Sequence, residues 1–134
     1  MLRLVAAISA VYDVLIGAAL LAGRPLLVQL FGLPAPVPPI HADLNGLFTL
    51  VIGLGYVLPY RDPVRYRAYL WLMGPGLKGA GAILFVLDYL MRGSHASFLL
   101  FAVGDGSLAL LTLWALLTSV DDPRRCSTQG SRQQ

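Results

Sequence analysis

Residues Arg67–Met91, RAYLWLMGPGLKGAGAILFVLDYLM, form an almost wholly apolar run that holds the only lysine in the chain, Lys78. Coiled as a helix at roughly 1.5 Å per residue, the run is long enough to cross the ~30 Å hydrocarbon core of a bilayer. Lys78 then lies about eleven residues, or roughly 16 Å, from the Arg67 end. A lysine stem of about 6 Å cannot carry its ammonium to either surface from there. An unpaired charge at that depth costs about 2.5–3.5 kcal/mol even on a lenient insertion scale. The rest of the chain therefore has to supply a partner.

Composition points the same way. Of 134 residues, 57% are hydrophobic and 13% charged, and there is no glutamate. Soluble helical bundles coat their exposed faces with lysine and glutamate, so a hydrated surface is excluded. Four apolar segments, at about residues 4–22, 40–58, 68–91 and 97–120, take up most of the length. The fold expected is all-α: a four-helix transmembrane bundle over residues 1–120, followed by a polar, disordered tail at 121–134.

Arg3 ahead of the first segment gives it some look of a signal peptide. The run is longer than a signal core, however, Asp13 interrupts it, and no small-x-small cleavage site follows, so a retained span is expected. In the first outer loop, GRPLLVQLFGLPAPVPP (Gly23–Pro39), Leu26, Leu27, Leu30 and Phe31 share one face of a short helix with Pro25 in its first turn and Gly32 at its end. It is too short to cross and should lie in the interface, with Pro34, Pro36, Pro38 and Pro39 forming a stiff extended connection. The loop Pro59–Arg67 is short and basic.

Arg3, Arg61, Arg65, Arg67, Arg124, Arg125 and Arg132 fall on one side of this topology, and only Arg24 and Arg92 on the other. The positive-inside rule makes both termini cytoplasmic in a multi-pass protein of the plasma membrane, with Tyr60, Tyr66 and Tyr69 at the inner face. The net charge of +3 is thus explained by topology, and no nucleic-acid partner is expected. A single cysteine, Cys126, excludes an intrachain disulfide; beside Arg124 and Arg125 it is an acylation site or, more simply, an inert thiol.

Asp13, about nine residues into the first span, and Asp105, about eight into the fourth, come to the depth of Lys78. Ala6, Ser9, Ala10 and Gly17 share the face of Asp13, and Gly74, Gly81 and Ala82 that of Lys78; such small residues let helices approach closely. Lys78 should pair with Asp105 or Asp13. With one cation facing two acids, either one aspartate carries a proton or its side chain reaches water. The cluster reads as a structural clasp that sets helix register, or as a titrating or ligand-polarising site. Pro75 removes the bond to the Trp71 carbonyl and should kink the helix one turn from Lys78.

His41, Asn45, Thr49 and Tyr56, at spacings of four, four and seven, form one stripe that is the candidate ligand-facing surface. Asp43, Asp88 and His95 join them as a polar outer mouth. His41 and Asp43, two apart, point to different sides of a helix, so no metal is expected, and no cofactor. Gly74-x-Gly76-x-x-Gly79 matches a dinucleotide fingerprint as a string but lacks the preceding strand, which leaves helix packing as its role. A retinal Schiff base on Lys78 finds too little room among four short helices. No catalytic Ser/His/Asp or Cys/His spacing is present, and a non-enzyme is expected. The two helical pairs show no repeat, which weighs against an internally duplicated transporter.

The proline-rich apolar first loop, DLNGLF (Asp43–Phe48), RDPVRYR (Arg61–Arg67) and the Gly104–Asp105 pair together resemble the small bacterial membrane proteins grouped as DoxX-like, over about Leu4–Leu117. The resemblance implies a four-helix membrane bundle in a family whose better-known members accompany quinone-linked or thiol-linked redox systems. No catalytic motif carries over. The role expected first is a non-catalytic accessory or scaffolding subunit that meets the lipid bilayer and another membrane protein. The alternatives are a binding or transfer protein for a small lipophilic molecule such as a quinone, and a proton-coupled carrier.

Overall fold

A computed structural model describes residues 1–32 and 37–119 of the protein. These residues form helices and turns, with no strand among them: α1 (Leu2–Ala22), α2 (Arg24–Phe31), α3 (Ile40–Gly55), α4 (Val57–Arg61), α5 (Arg67–Trp71), a π-helical segment (Leu72–Lys78), α6 (Gly79–Arg92) and α7 (Phe98–Thr118). Four helical stretches are long and apolar enough to cross a membrane: Leu2–Ala22, Ile40–Arg61, Arg67–Arg92 and Phe98–Thr118. Their outward side chains are apolar; Leu4, Leu15, Val51, Leu84, Leu90 and Leu110 are all more than half exposed. Such a surface suits acyl chains and not water. Val120, the tail, and Pro34 and Pro36 of the proline-rich connection lie outside the described residues.

The bundle is an arc. α1 packs on α3 on one side and on α7 on the other, and α7 packs on the π-helical segment and α6; α3 and α6 are not packed against each other. The α1–α3 pair is closest because glycines face it. A Cβ placed on Gly17 would sit 2.6 Å from Leu50 N, and one on Gly53 would sit 2.8 Å from Val14 N. Only a residue without a side chain permits that approach, which lays Asp13 directly over Gly53.

At the basic end the arc closes. Ala6, Tyr56, Leu70 and Leu116 are fully buried together, the Tyr56 and Tyr69 rings meet edge to face at 5.3 Å, and the Tyr69 hydroxyl donates to the Ile52 carbonyl at 2.7 Å. Tyr69 therefore packs inward, while Tyr60 stays half exposed. Arg3 and Arg67 tie neighbouring elements at this end by donating to the Arg61 and Leu116 carbonyls. The basic loop is shorter than its sequence suggests, since helix persists to Arg61. A break at Tyr56 separates α3 from α4, because Pro59 has no N–H to offer the Gly55 carbonyl four residues back. Asp62 then accepts from the Arg65 N–H at 3.0 Å and closes the turn.

At the opposite end α2 bridges the gap. Pro25 starts it, and Gly32, at φ 60°, ends it in the left-handed conformation that glycine adopts freely. Leu27 is buried against the bundle, whereas Leu26, Leu30 and Phe31 face outward, so its apolar residues divide between two sides. Arg24 forms an ion pair with Asp43 in the first turn of α3, and Ser97, just before α7, donates to the Phe31 carbonyl.

Candidate functional site

The kink expected at Pro75 takes the form of a π-helical segment. Proline cannot donate to the Trp71 carbonyl, and the chain widens to a five-residue spacing, with the Gly79 N–H reaching the Gly74 carbonyl. Lys78 is the last residue of this segment. Its side chain is 6% exposed and its Nζ lies between two acids. It is in tight contact with Asp13 Oδ1, on a side chain 3% exposed, and 3.3 Å from Asp105 Oδ1, on a side chain 22% exposed. The structure thus joins Lys78 to both aspartates, unequally. Asp13 is enclosed, while Asp105 keeps part of its carboxylate in open space.

That space is a cavity of about 610 Å³ between α3 and α6, with the ion cluster as its floor. His41, Asn45 and Thr49 of α3 line one wall, and Phe85, Phe98 and Phe101 another. Arg24, Leu27 and Val28 of α2 lie over the end away from the floor. Phe48 lines the cavity yet is 60% exposed, and Leu77 is 48% exposed, so the cavity has a lateral edge on the bundle's apolar surface. Thr49 Oγ1 donates to the Asn45 carbonyl at 2.7 Å within its own helix.

Four residues sit elsewhere than the stripe and the mouth require. Tyr56 does not line the cavity. It lies fifteen residues beyond His41, about 22 Å along the helix, below the floor and inside the closed apolar core. Asp43 faces Arg24 instead of the cavity. Asp88 accepts from Arg92 at 3.0 Å and from Ser94, and His95 bonds Ser97 at 2.9 Å, so both serve the connection between α6 and α7. The rim is instead built by Arg24 and His41.

Two features have little sequence signature. The Tyr12 ring lies 4.9 Å from Lys78 Nζ, a cation–π contact, and its hydroxyl end packs on Gly104. A tyrosine beside a mid-span aspartate was the available clue. The aromatic wall, with Phe85 centroids 6.2 Å from Phe98 and 5.9 Å from Phe101, joins residues of two helices whose relative rotation no local pattern sets. Beneath the floor, Ser9 Oγ, Tyr56 OH and Asp13 Oδ2 are buried with no hydrogen-bond partner among the described residues. No group of three or more His, Cys, Asp or Glu that could hold a metal occurs among the described residues.

Comparisons with protein-family models, with curated proteins and with solved structures find no match. Fold and site define the class by themselves: an all-α four-helix bundle with four candidate membrane spans, carrying a lysine–diaspartate cluster at the floor of a mostly apolar cavity.

Proposed function

We propose that the protein is an integral protein of the cell membrane, with both termini cytoplasmic, that binds a small lipophilic molecule in the cavity between α3 and α6. One observation carries this reading: a charged cluster whose outer acid is part-exposed forms the floor of a cavity of about 610 Å³ with apolar walls. Ligand sites commonly enclose about 300–1,000 Å³, with apolar walls and a few placed polar groups. The lateral edge at Phe48 and Leu77 gives a route from the acyl chains, and the closed core at Tyr56 and Leu70 seals the opposite end. The role is binding or transfer without chemistry. Arg3, Arg61, Arg65 and Arg67, gathered at the sealed end, support the orientation.

Gly81→Leu tests the reading. A Cβ on Gly81 meets nothing nearer than Asp105 Oδ2 at 4.0 Å, so a side chain placed there starts in open space at the cavity, and leucine, with better helix propensity than glycine, would fill part of it. Wild-type chain purified from membranes in mild detergent should release a defined lipophile in native mass spectrometry. The variant should melt at a similar temperature and release none. Retention by the variant would refute the cavity as the site.

A second reading rests on the depth of the Lys78–Asp13 contact, which ties the π-helical segment to α1. On that basis the protein is an accessory or scaffolding subunit, the cluster is a clasp, and Gly81→Leu leaves every property unchanged.

A further inference from the structure

We infer that the cavity takes a lipophilic monocation, an aryl- or alkylammonium whose head meets Asp105 and whose body lies along the phenylalanine wall. The inference rests on the binding role proposed above and assigns the chemical class of its ligand.

Charge bookkeeping leads to it. The charged residues lining the cavity are Asp13, Asp105, Lys78 and Arg24; Tyr12 and His41 are the remaining titratable ones. Arg24 is matched by Asp43, and Lys78 matches one of its two acids, which leaves one carboxyl group at the floor without a cation; Asp105, 22% exposed against 3% for Asp13, is the one that reaches open space and can keep its charge without a proton. Lys78 is drawn closer to Asp13, so the excess negative charge resides on Asp105. Asp105 Oδ2 has no hydrogen bond among the described residues and lies on the side of Gly81, itself a cavity residue. Asp13 Oδ2, buried beneath the floor, is out of a ligand's reach, so the carboxylate that faces the cavity is that of Asp105. A part-exposed carboxylate among apolar walls is best met by a donor that carries positive charge.

The walls agree. Phe48, Phe85, Phe98 and Phe101 all line the cavity, and aromatic faces attract cations that have left water. An anionic head would face Asp105 at low dielectric, and a neutral one would leave the excess charge uncompensated. The ammonium of Lys78 does not bar a second cation, because Asp13 already neutralises it.

Three probes of one shape and different charge decide the matter: phenylhexylamine, phenylhexanol and phenylhexanoate, each titrated calorimetrically into the detergent-solubilised full chain at neutral pH against empty micelles. The amine should bind at least about tenfold more tightly than the alcohol, the increment of a charge-assisted hydrogen bond, and the carboxylate most weakly. Asp105→Asn should reduce the amine to the alcohol's affinity. Asp88→Asn, an acid outside the cavity, should leave the preference intact. Equal or tighter binding of the alcohol to wild type overturns the inference without recourse to any variant. If the alcohol or carboxylate binds best and Gly81→Leu abolishes it, the binding role stands and the cation assignment falls. If none of the three binds, both fall.

Discussion

Replacing Lys78 by methionine keeps an unbranched apolar stem of nearly the same length and removes the ammonium group with its charge. Asp13, whose side chain is 3% exposed, then loses its one cationic partner, and breaking a buried pair in this way costs about 3–5 kcal/mol. Asp105 stands farther from Nζ, at 3.3 Å, and is 22% exposed, so Asp105→Asn should cost about 1 kcal/mol or less. The two acids therefore predict an unequal double-mutant cycle. Lys78→Met and Asp13→Asn should each destabilise strongly. Their combination removes both charges together and should cost well under the sum, leaving a coupling of about 2–3 kcal/mol. The Lys78→Met and Asp105→Asn pair should couple by less than about 1 kcal/mol. Stability would be read from reversible unfolding of detergent-solubilised chain on titration with dodecyl sulfate. Additivity of Lys78→Met with Asp13→Asn to within about 0.5 kcal/mol, or equal coupling to both acids, would refute the claim that Asp13 holds the lysine.

Tyr56→Phe deletes a buried hydroxyl that faces the Ser9 hydroxyl without a hydrogen bond of normal geometry among the described residues, so it should change stability by no more than about 1 kcal/mol in the same unfolding assay; a larger loss would show that the two hydroxyls are paired. Gly17→Ala forces a Cβ to within 2.6 Å of Leu50 N and should destabilise by about 1–3 kcal/mol, because the obstacle is backbone that cannot step aside. Arg24→Ala breaks a half-exposed pair and should cost no more than about 1 kcal/mol globally, while making α2 more accessible to limited proteolysis than the spans; unchanged cleavage would mean that Asp43 does not hold α2 in place.

What could be read from sequence was depth, because rise along a helix is the same for every residue. Counting from span ends was enough to bring Asp13, Lys78 and Asp105 to one level and to bound the four candidate spans within a few residues. Rotation about the helix axis was much harder to read. A π-helical turn takes about one residue more than an α turn, so Pro75 rephases everything beyond it by an amount that the α-helical wheel does not contain. Which aspartate holds the lysine depends on that phase and on how closely α1 and α3 approach, which Gly17 and Gly53 decide jointly. Of the stripe from His41 to Tyr56, His41, Asn45 and Thr49 line the cavity, whereas Tyr56, past the end of α3, lies in the apolar seal below the floor. Asp43, Asp88 and His95 were assigned to a mouth by height alone, whereas their partners Arg24, Ser94 and Ser97 are set by loops whose paths no periodicity specifies.

On the proposed reading, the clasp and the binding site need not compete, because the two acids of the cluster sit in different surroundings. Asp13 sits over Gly53 at the tightest helix crossing and contacts Lys78 out of reach of solvent, a geometry suited to fixing where α1 stands against the π-helical segment. Asp105 lies between Gly104 and Gly106, part-exposed in the cavity and only loosely engaged by the same ammonium. A second lysine at the floor would neutralise both acids and leave a dry, purely structural network. With one lysine for two carboxylates, Asp105 is left loosely paired and part-exposed at the cavity, the position in which the proposed ligand would meet it. On the binding proposal, the single lysine of the segment Arg67–Met91 thus bears on both the stability of the arc and the chemistry of the cavity it encloses.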